Sequence, residues 1–104
     1  MKATGLEFHL LTQEPWFRKH FDWSKVICYW CSQTGINEIK PCDEYYGHFQ
    51  NEKIDFRFDS AWLNQFGDCP DGDDFNYIEI KNRKRILLRE LDFEKLKSLL
   101  KENL

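Results

Sequence analysis

The chain has 104 residues, a length typical of one domain, and 16% of its residues are aromatic, so it can assemble a small apolar core. Its 32% charged and 41% hydrophobic residues argue against disorder, and no apolar run approaches the roughly 20 residues needed to span a bilayer. The net charge of −3 argues against a nucleic-acid-binding module, because such modules usually carry net positive charge.

The first predicted elements are a strand and a short helix. Residues 6–10 alternate apolar and polar side chains, the pattern of a strand with one buried face. Thr12 then predicts the N-cap of a helix over residues 13–21, and Pro15 suits the first turn of that helix.

Residues 22–31 fit both a helix and a strand. Four apolar side chains recur at helical spacing: Trp23, Val26, Ile27 and Trp30. The run from Val26 to Cys31 is also rich in residues that favour strands. We expect a helix over the first part of this region, ended by Gly35, and a weak strand over residues 36–40.

The clearest strand covers residues 53–59. One face would carry the apolar side chains of Ile54, Phe56 and Phe58. The other face would carry the charged side chains of Asp55, Arg57 and Asp59. A helical turn over residues 61–66 and a loop over residues 68–74 are expected to follow, because Pro70 and Gly72 interrupt any regular element there.

The C-terminal third predicts a hairpin followed by a helix. Residues 75–81 and 85–91 read as two strands, and Asp92 is expected to cap a terminal helix with Leu91 and Leu96 packed across its first turn. The chain as a whole, residues 1–104, therefore predicts a single α+β domain. We expect an antiparallel sheet of about four to five strands, with helices packed on one face and a C-terminal helix.

The four cysteines allow three interpretations. Cys28 and Cys31 have the spacing that lets two thiolates reach one metal, and a structural zinc site in an adaptor module would use Cys28, Cys31, Cys42 and His48. A thiol oxidoreductase would instead need a Cys28 thiolate of depressed pKa at a helix N-terminus. We favour buried structural thiols with no cofactor, because the linking Tyr-Trp pair is bulky and no second close cysteine pair follows.

The sequence offers little support for an enzyme. It contains no nucleophile elbow and no glycine-rich phosphate loop. Asp55 and Asp59 share a strand face, but four residues of strand separate them by about 13 Å. The acidic stretch from Asp68 to Glu79 has the wrong register for a calcium-binding loop.

Charge is distributed unevenly along the chain. Residues 38–79 carry −8, residues 1–37 carry +1 and residues 80–104 carry +4. Such asymmetry steers association with a partner of opposite charge, so we expect a cationic partner. The expected contact residues are acids and aromatic side chains from this central stretch: Glu44, Tyr45, Tyr46, Trp62, Asp68, Asp71, Asp73 and Asp74.

A small, acidic, aromatic-rich chain without an apparent export signal is similar in composition to bacterial immunity proteins that neutralise toxins, and to phage inhibitors of nucleic-acid-targeting defence complexes. The resemblance implies a cytoplasmic inhibitor that binds a basic protein such as a nuclease toxin. It implies no direct contact with nucleic acid or a membrane. The oligomeric state and the identity of the partner do not follow from the sequence.

Overall fold

A computed structural model describes residue 1 and residues 3–31, 44–66 and 70–104, with the side chains of residues 65, 66, 70 and 71 left out of the description. Five strands form one antiparallel sheet in the order β1-β2-β3-β4-β5, so each strand pairs with its neighbours in sequence. Their bounds are β1 Ile27–Cys31, β2 Glu44–Gln50, β3 Ile54–Asp59, β4 Tyr77–Ile80 and β5 Arg85–Leu87.

Four α-helices accompany this sheet in the described part of the chain: α1 Gly5–Gln13, α2 Pro15–Arg18, α3 Ser60–Phe66 and α4 Phe93–Asn103. Two 3₁₀ turns, Pro70–Phe75 and Leu88–Glu90, complete the regular structure. The predicted α+β fold, with an antiparallel sheet of this size and a C-terminal helix, is confirmed. The predicted strand over residues 36–40 lies outside the described residues.

Strand periodicity gives the sheet two faces. The inner face packs with the helices in one core, which includes Phe8 from α1, Phe17 from α2 and Leu96 from α4. The inner face contributes alternate strand residues to this core: Cys28, Trp30, Tyr45, Phe49, Ile54, Phe56, Phe58, Ile78, Ile80 and Ile86. We call the opposite side, which bears the remaining strand side chains, the outer face.

The N-terminal strand prediction is wrong, because residues 6–10 belong to α1. Thr4 caps this helix: its hydroxyl accepts the backbone N–H of Glu7 at 3.2 Å, and the Glu7 carboxylate accepts the backbone N–H of Thr4 at 3.3 Å. This reciprocal capping satisfies two backbone donors that a helix start otherwise leaves free. Thr12 therefore lies in the last turn of α1 rather than capping the next helix.

The second helix is shorter than predicted. It covers only Pro15–Arg18, with proline in its first turn as expected, and Glu14 occupies the capping position without a side-chain hydrogen bond. Residues 22–26 form no helix, and the strand alternative is realised in β1. Pairing with β2 decides this ambiguity, because strand formation lets Trp30 pack against Tyr45 at 5.1 Å between ring centroids.

β3, the helical turn after it, the β4–β5 hairpin and the terminal helix are confirmed in outline. Two predictions are wrong: Pro70–Phe75 forms a 3₁₀ turn within the predicted loop, and β5 ends at Leu87, where a second 3₁₀ turn replaces the predicted strand. Proline suits the first position of such a turn, because its missing N–H would have no partner there. The faces of β3 are as expected, with Phe56 and Phe58 fully buried. The β4–β5 hairpin turns through Asn82, whose φ of 66° lies in the left-handed region that asparagine tolerates better than most residues. Asp92 caps α4 by accepting the backbone N–H of Lys95 at 2.8 Å.

Candidate functional site

The outer face is a candidate functional surface because it carries aromatic and charged side chains on all five strands. It is partly covered, because Tyr46, Asp59 and Tyr77 are buried and Phe75 of the Pro70–Phe75 turn packs against Arg57. The side chains in question are Tyr29, Glu44, Tyr46, His48, Asp55, Arg57, Asp59, Tyr77, Glu79 and Arg85.

One end of the outer face holds a pair of carboxylates. Asp59 is buried, and one of its oxygens accepts the backbone N–H groups of Ala61 at 3.1 Å and Trp62 at 3.3 Å, which caps α3. Burial raises the pKa of Asp59 to about 6, against the opposing effect of those N–H groups, and the neighbouring Glu44 carboxylate raises it further. The fold thus holds the two carboxylates close enough for the Glu44 charge to disfavour the charged form of Asp59.

Two tyrosines lie directly beside this pair. The Tyr29 hydroxyl donates to Glu44 Oε1 at 2.9 Å, and the Tyr29 ring stacks on Tyr46 at 5.1 Å between centroids. Burial raises the pKa of Tyr29 to about 12, with a further contribution from Glu44 and Asp59, so its hydroxyl stays a donor at neutral pH. Tyr29, Glu44, Tyr46 and Asp59 together form what we call the acidic–aromatic site.

Burial of Asp59, with the nearby Glu44 carboxylate adding to its effect, should make the folded protein lose stability as the pH rises. The pKa of Asp59 is about 6 in the folded chain and about 3.9 in an unfolded one, so between these values the folded chain binds more protons. Replacing Asp59 with asparagine keeps the cap and removes the charge. We expect Asp59→Asn to raise the free energy of unfolding by about 1–2 kcal/mol at pH 7.5 and to leave it nearly unchanged at pH 4, as measured by urea denaturation.

Asp92→Asn is the matched control, since it replaces another carboxylate that caps a helix, and asparagine caps about as well as aspartate. Its effect should stay small at both pH values. An Asp59→Asn variant that is no more stable than the parent protein at pH 7.5 would show that neither burial nor Glu44 disfavours the charged form of Asp59.

Arg57 lies next to the acidic–aromatic site without neutralising it. Its guanidinium carbon is 5.4 Å from the ring centroid of Tyr46 and 4.8 Å from that of Phe75. The Nε atom is buried without a hydrogen-bond partner, and Arg57 makes no ion pair with any described residue. The rings hold this cation by cation–π contact, and it forms no direct ion pair with Glu44 or Asp59.

The other end of the outer face is internally satisfied. His48 Nε2 lies 2.8 Å from Asp55 Oδ1, and the Tyr77 hydroxyl donates to Asp55 at 3.2 Å. Burial raises the pKa of Tyr77, with Asp55 adding to the rise, so this hydroxyl remains a neutral donor. Arg85 packs over the Tyr77 ring at 3.8 Å and pairs with Glu79 at 3.6 Å. These groups satisfy one another's hydrogen bonds, and Arg85 and Glu79 pair their charges.

A cleft of about 450 Å³ opens beside this second cluster, at the ends of β3 and β4. Carboxylates from Glu52, Asp55 and Glu79 and cations from Lys81 and Arg83 line it together. Since both signs of charge are present, the cleft favours no ligand of a single charge.

The predicted contact residues are only partly brought together. Glu44 and Tyr46 lie in the acidic–aromatic site, whereas Tyr45 points into the core, where its hydroxyl lies 2.9 Å from Thr12 Oγ1. Tyr45 is thus unavailable for contact, because neighbouring strand residues point to opposite faces. Trp62 stacks on Phe75 at 6.2 Å between ring centroids.

The predicted acidic loop offers fewer free carboxylates for partner contact than expected. Asp73 pairs with Arg89 at 3.1 Å, which neutralises it locally, and Asp74 is exposed. Asp68 lies outside the described residues, as does the side chain of Asp71. Sequence reasoning missed Tyr29 and Asp59 as site residues, since each joins Glu44 only through strand pairing.

The cysteine geometry is unfavourable to the zinc and redox interpretations. Cys28 lies on the inner face and Cys31 on the outer face, because residues three apart on a strand point in opposite directions and lie about 10 Å apart. Burial raises the pKa of the Cys28 thiol, opposite to what a redox nucleophile needs, and this thiol donates to the Tyr45 hydroxyl at 3.0 Å. Cys42 lies outside the described residues, and His48 is hydrogen-bonded to Asp55.

Comparison with known proteins gives no relative, since no protein-family model, curated protein or solved structure matches this chain. Among the described residues, no helix has the length and apolar character to cross a membrane, and no group of three or more histidine, cysteine or acidic side chains is placed to hold a metal ion.

Proposed function

We propose that this chain is a binding protein of the inhibitor type that docks its acidic–aromatic site onto a basic protein in the cytoplasm and performs no chemistry of its own. The observation that carries the proposal is the Glu44–Asp59 pair, which no described cation neutralises. Neither Cys28 nor Cys31 forms a disulfide with another described residue.

The acid pair explains how binding would gain free energy. In the free protein the two carboxylates repel each other, so a lysine or arginine from a partner would relieve a repulsion that the fold otherwise bears. Close charge pairs of this kind couple by about 1.5–7 kcal/mol in tight complexes. Tyr29, which is 48% exposed, would provide the aromatic anchor beside the charges, and its stacking on the buried Tyr46 would hold its ring in place.

A nuclease toxin is the partner class that fits best. Active sites that hold nucleic-acid phosphates are lined with lysine and arginine, and the −8 carried by residues 38–79 would steer such a surface toward this one. The same carboxylates would repel a phosphate backbone, so the proposal includes no direct binding of nucleic acid.

The test compares three forms of the protein as bait in the native host. Glu44→Gln with Asp59→Asn removes the acid pair, and Glu90→Gln with Glu102→Gln removes two exposed charges elsewhere as the matched control. We expect the parent protein and the control to retain a basic protein and inhibit its activity. The acid-pair variant should bind it at least tenfold more weakly, as measured by titration calorimetry.

Salt provides the second measurement. The association rate of the parent protein should fall as ionic strength rises, and the acid-pair variant should show a weaker dependence. Equal affinity for the two double variants would refute the assignment of this site, and recovery of an acidic partner would refute the inhibitor model as a whole.

A further inference from the structure

β1 has an outward edge that pairs with no other strand in the described part of the chain. It lies at the end of the sheet and is hydrogen-bonded to β2 alone. The backbone N–H and C=O groups along such an edge are a ready template for a strand from another molecule.

The residues of β1 themselves supply none of the features that usually prevent strand pairing. The sequence of β1, Ile-Cys-Tyr-Trp-Cys, contains no charged residue and no proline. Its register with β2 runs without a bulge from Ile27 to Cys31. The opposite edge differs, since β5 has only three residues, begins with Arg85 and follows a turn rich in lysine and arginine. Of the two edge strands in the described part of the chain, only β5 therefore carries residues of the kind that avoid unwanted pairing.

Apolar side chains line the outer face at the unprotected edge. Ile27 is 56% exposed and Tyr29 is 48% exposed, and Cys31 beside them is also exposed. Alternate residues of an added strand would lie next to these three side chains on the same face.

The Glu44 carboxylate, which lies inward of this edge, favours a basic added strand. Glu44 is on β2, one strand inward from β1, and it already accepts the Tyr29 hydroxyl. Strands lie about 5 Å apart, so an added strand would lie about 10 Å from β2. A lysine or arginine side chain and the Glu44 side chain can span that distance together, across the ring of Tyr29.

We propose that the partner adds a β-strand to β1, and that this strand carries lysine or arginine at alternate positions facing the acidic–aromatic site. The basic character of the strand rests on the proposed function, whereas the pairing itself rests on the geometry of β1. Main-chain hydrogen bonds to the β1 edge would supply affinity, and the acid pair would select basic side chains.

The probe is an acetylated, amidated peptide of about eight residues that alternates valine and arginine, added to the whole chain. In an antiparallel edge strand, alternate amides point away from the sheet and exchange with solvent. At saturating peptide, we expect those outward amides between Ile27 and Cys31 to exchange at least tenfold more slowly in residue-resolved NMR measurements. The amides of β5 should not change.

Two altered peptides separate backbone pairing from charge. Methylation of alternate backbone nitrogens keeps the arginines but removes the donors, and it should weaken binding at least tenfold. An alternating valine–glutamate peptide should also bind at least tenfold more weakly. A valine–arginine peptide that fails to bind, or that binds without slowing exchange in β1, overturns strand addition.

The acid-pair variant distinguishes this inference from the proposed function. In one outcome, the peptide binds the parent protein without protecting β1 and binds the Glu44→Gln, Asp59→Asn variant weakly. Strand addition is then wrong, whereas the acidic–aromatic site is still the binding site. Should it protect β1 equally in the parent protein and the variant, the acid pair does not select the strand and the proposed function loses its support.

Discussion

Replacing Phe58 with alanine is expected to lower the free energy of unfolding by about 3–5 kcal/mol. Phe58 is fully buried, and its ring stacks on Phe8 of α1 at 4.4 Å between centroids with an interplanar angle of 8°. It also meets Tyr45 at 5.5 Å and Phe56 at 5.3 Å. The ring thus joins the first helix to the middle of the sheet, and its removal would leave a cavity that several rigid aromatic neighbours cannot fill.

Urea denaturation followed by tryptophan fluorescence measures this effect. Domains of this size have total stabilities of about 5–15 kcal/mol, so the variant is expected to be marginal and to melt more than about 10 °C lower. Ile27→Ala is the control, because it removes an apolar side chain that is mostly exposed and should change stability little. A loss below about 1.5 kcal/mol for Phe58→Ala would show that the core relaxes around the cavity.

The elements that sequence predicted well are those whose signals are local. β3 alternates strictly, and burial of one face follows directly from that alternation. α4 has a capping aspartate followed by an apolar stripe, and both Leu96 and Leu100 are buried. In each case the local pattern and the tertiary environment favour the same structure, so the pattern alone was sufficient.

α1 was missed because an accidental alternation resembled a strand. The strand interpretation put Leu6, Phe8 and Leu10 on one buried face, whereas Leu6 is 41% exposed, Leu10 is 56% exposed and only Phe8 is buried. The helix buries Phe8 and Leu11. The decisive signal was the capping pattern formed by Thr4 and the residue three positions later, which lies just before the apolar alternation.

β1 and the site depended on contacts distant in sequence. Trp30 fits a helical stripe locally, and only its packing on Tyr45 across β2 makes the strand the better solution. Glu44 was identified by its charge, but Asp59 was compared only with Asp55 on its own strand. The meeting of Glu44 with Asp59 is set by the β2–β3 register, which composition and periodicity do not determine.

The second large effect is expected at Gly47, on β2. Alanine normally stabilises a strand relative to glycine by about 0.5–1 kcal/mol. Here its Cβ would lie 2.5 Å from Phe58 Cζ and 2.7 Å from Phe49 Cε2, closer than real Cβ contacts allow. We therefore expect Gly47→Ala to lower the free energy of unfolding by about 1–3 kcal/mol, as measured by urea denaturation, because the two buried rings must move.

Gly5→Ala is the matched control for this glycine. Its Cβ would lie 3.0 Å from the Trp30 ring and 3.1 Å from Ser60 Oγ, a less severe approach than at Gly47, so its net cost should be smaller. The sharper test combines Gly47→Ala with Phe58→Ala. Removing the Phe58 ring gives the new methyl group space, so the double variant should be at least about 1 kcal/mol more stable than the sum of the two single losses implies. Additive losses would mean that the obstacle at Gly47 is not Phe58, and that β2 and β3 do not pack as closely as the structure has them.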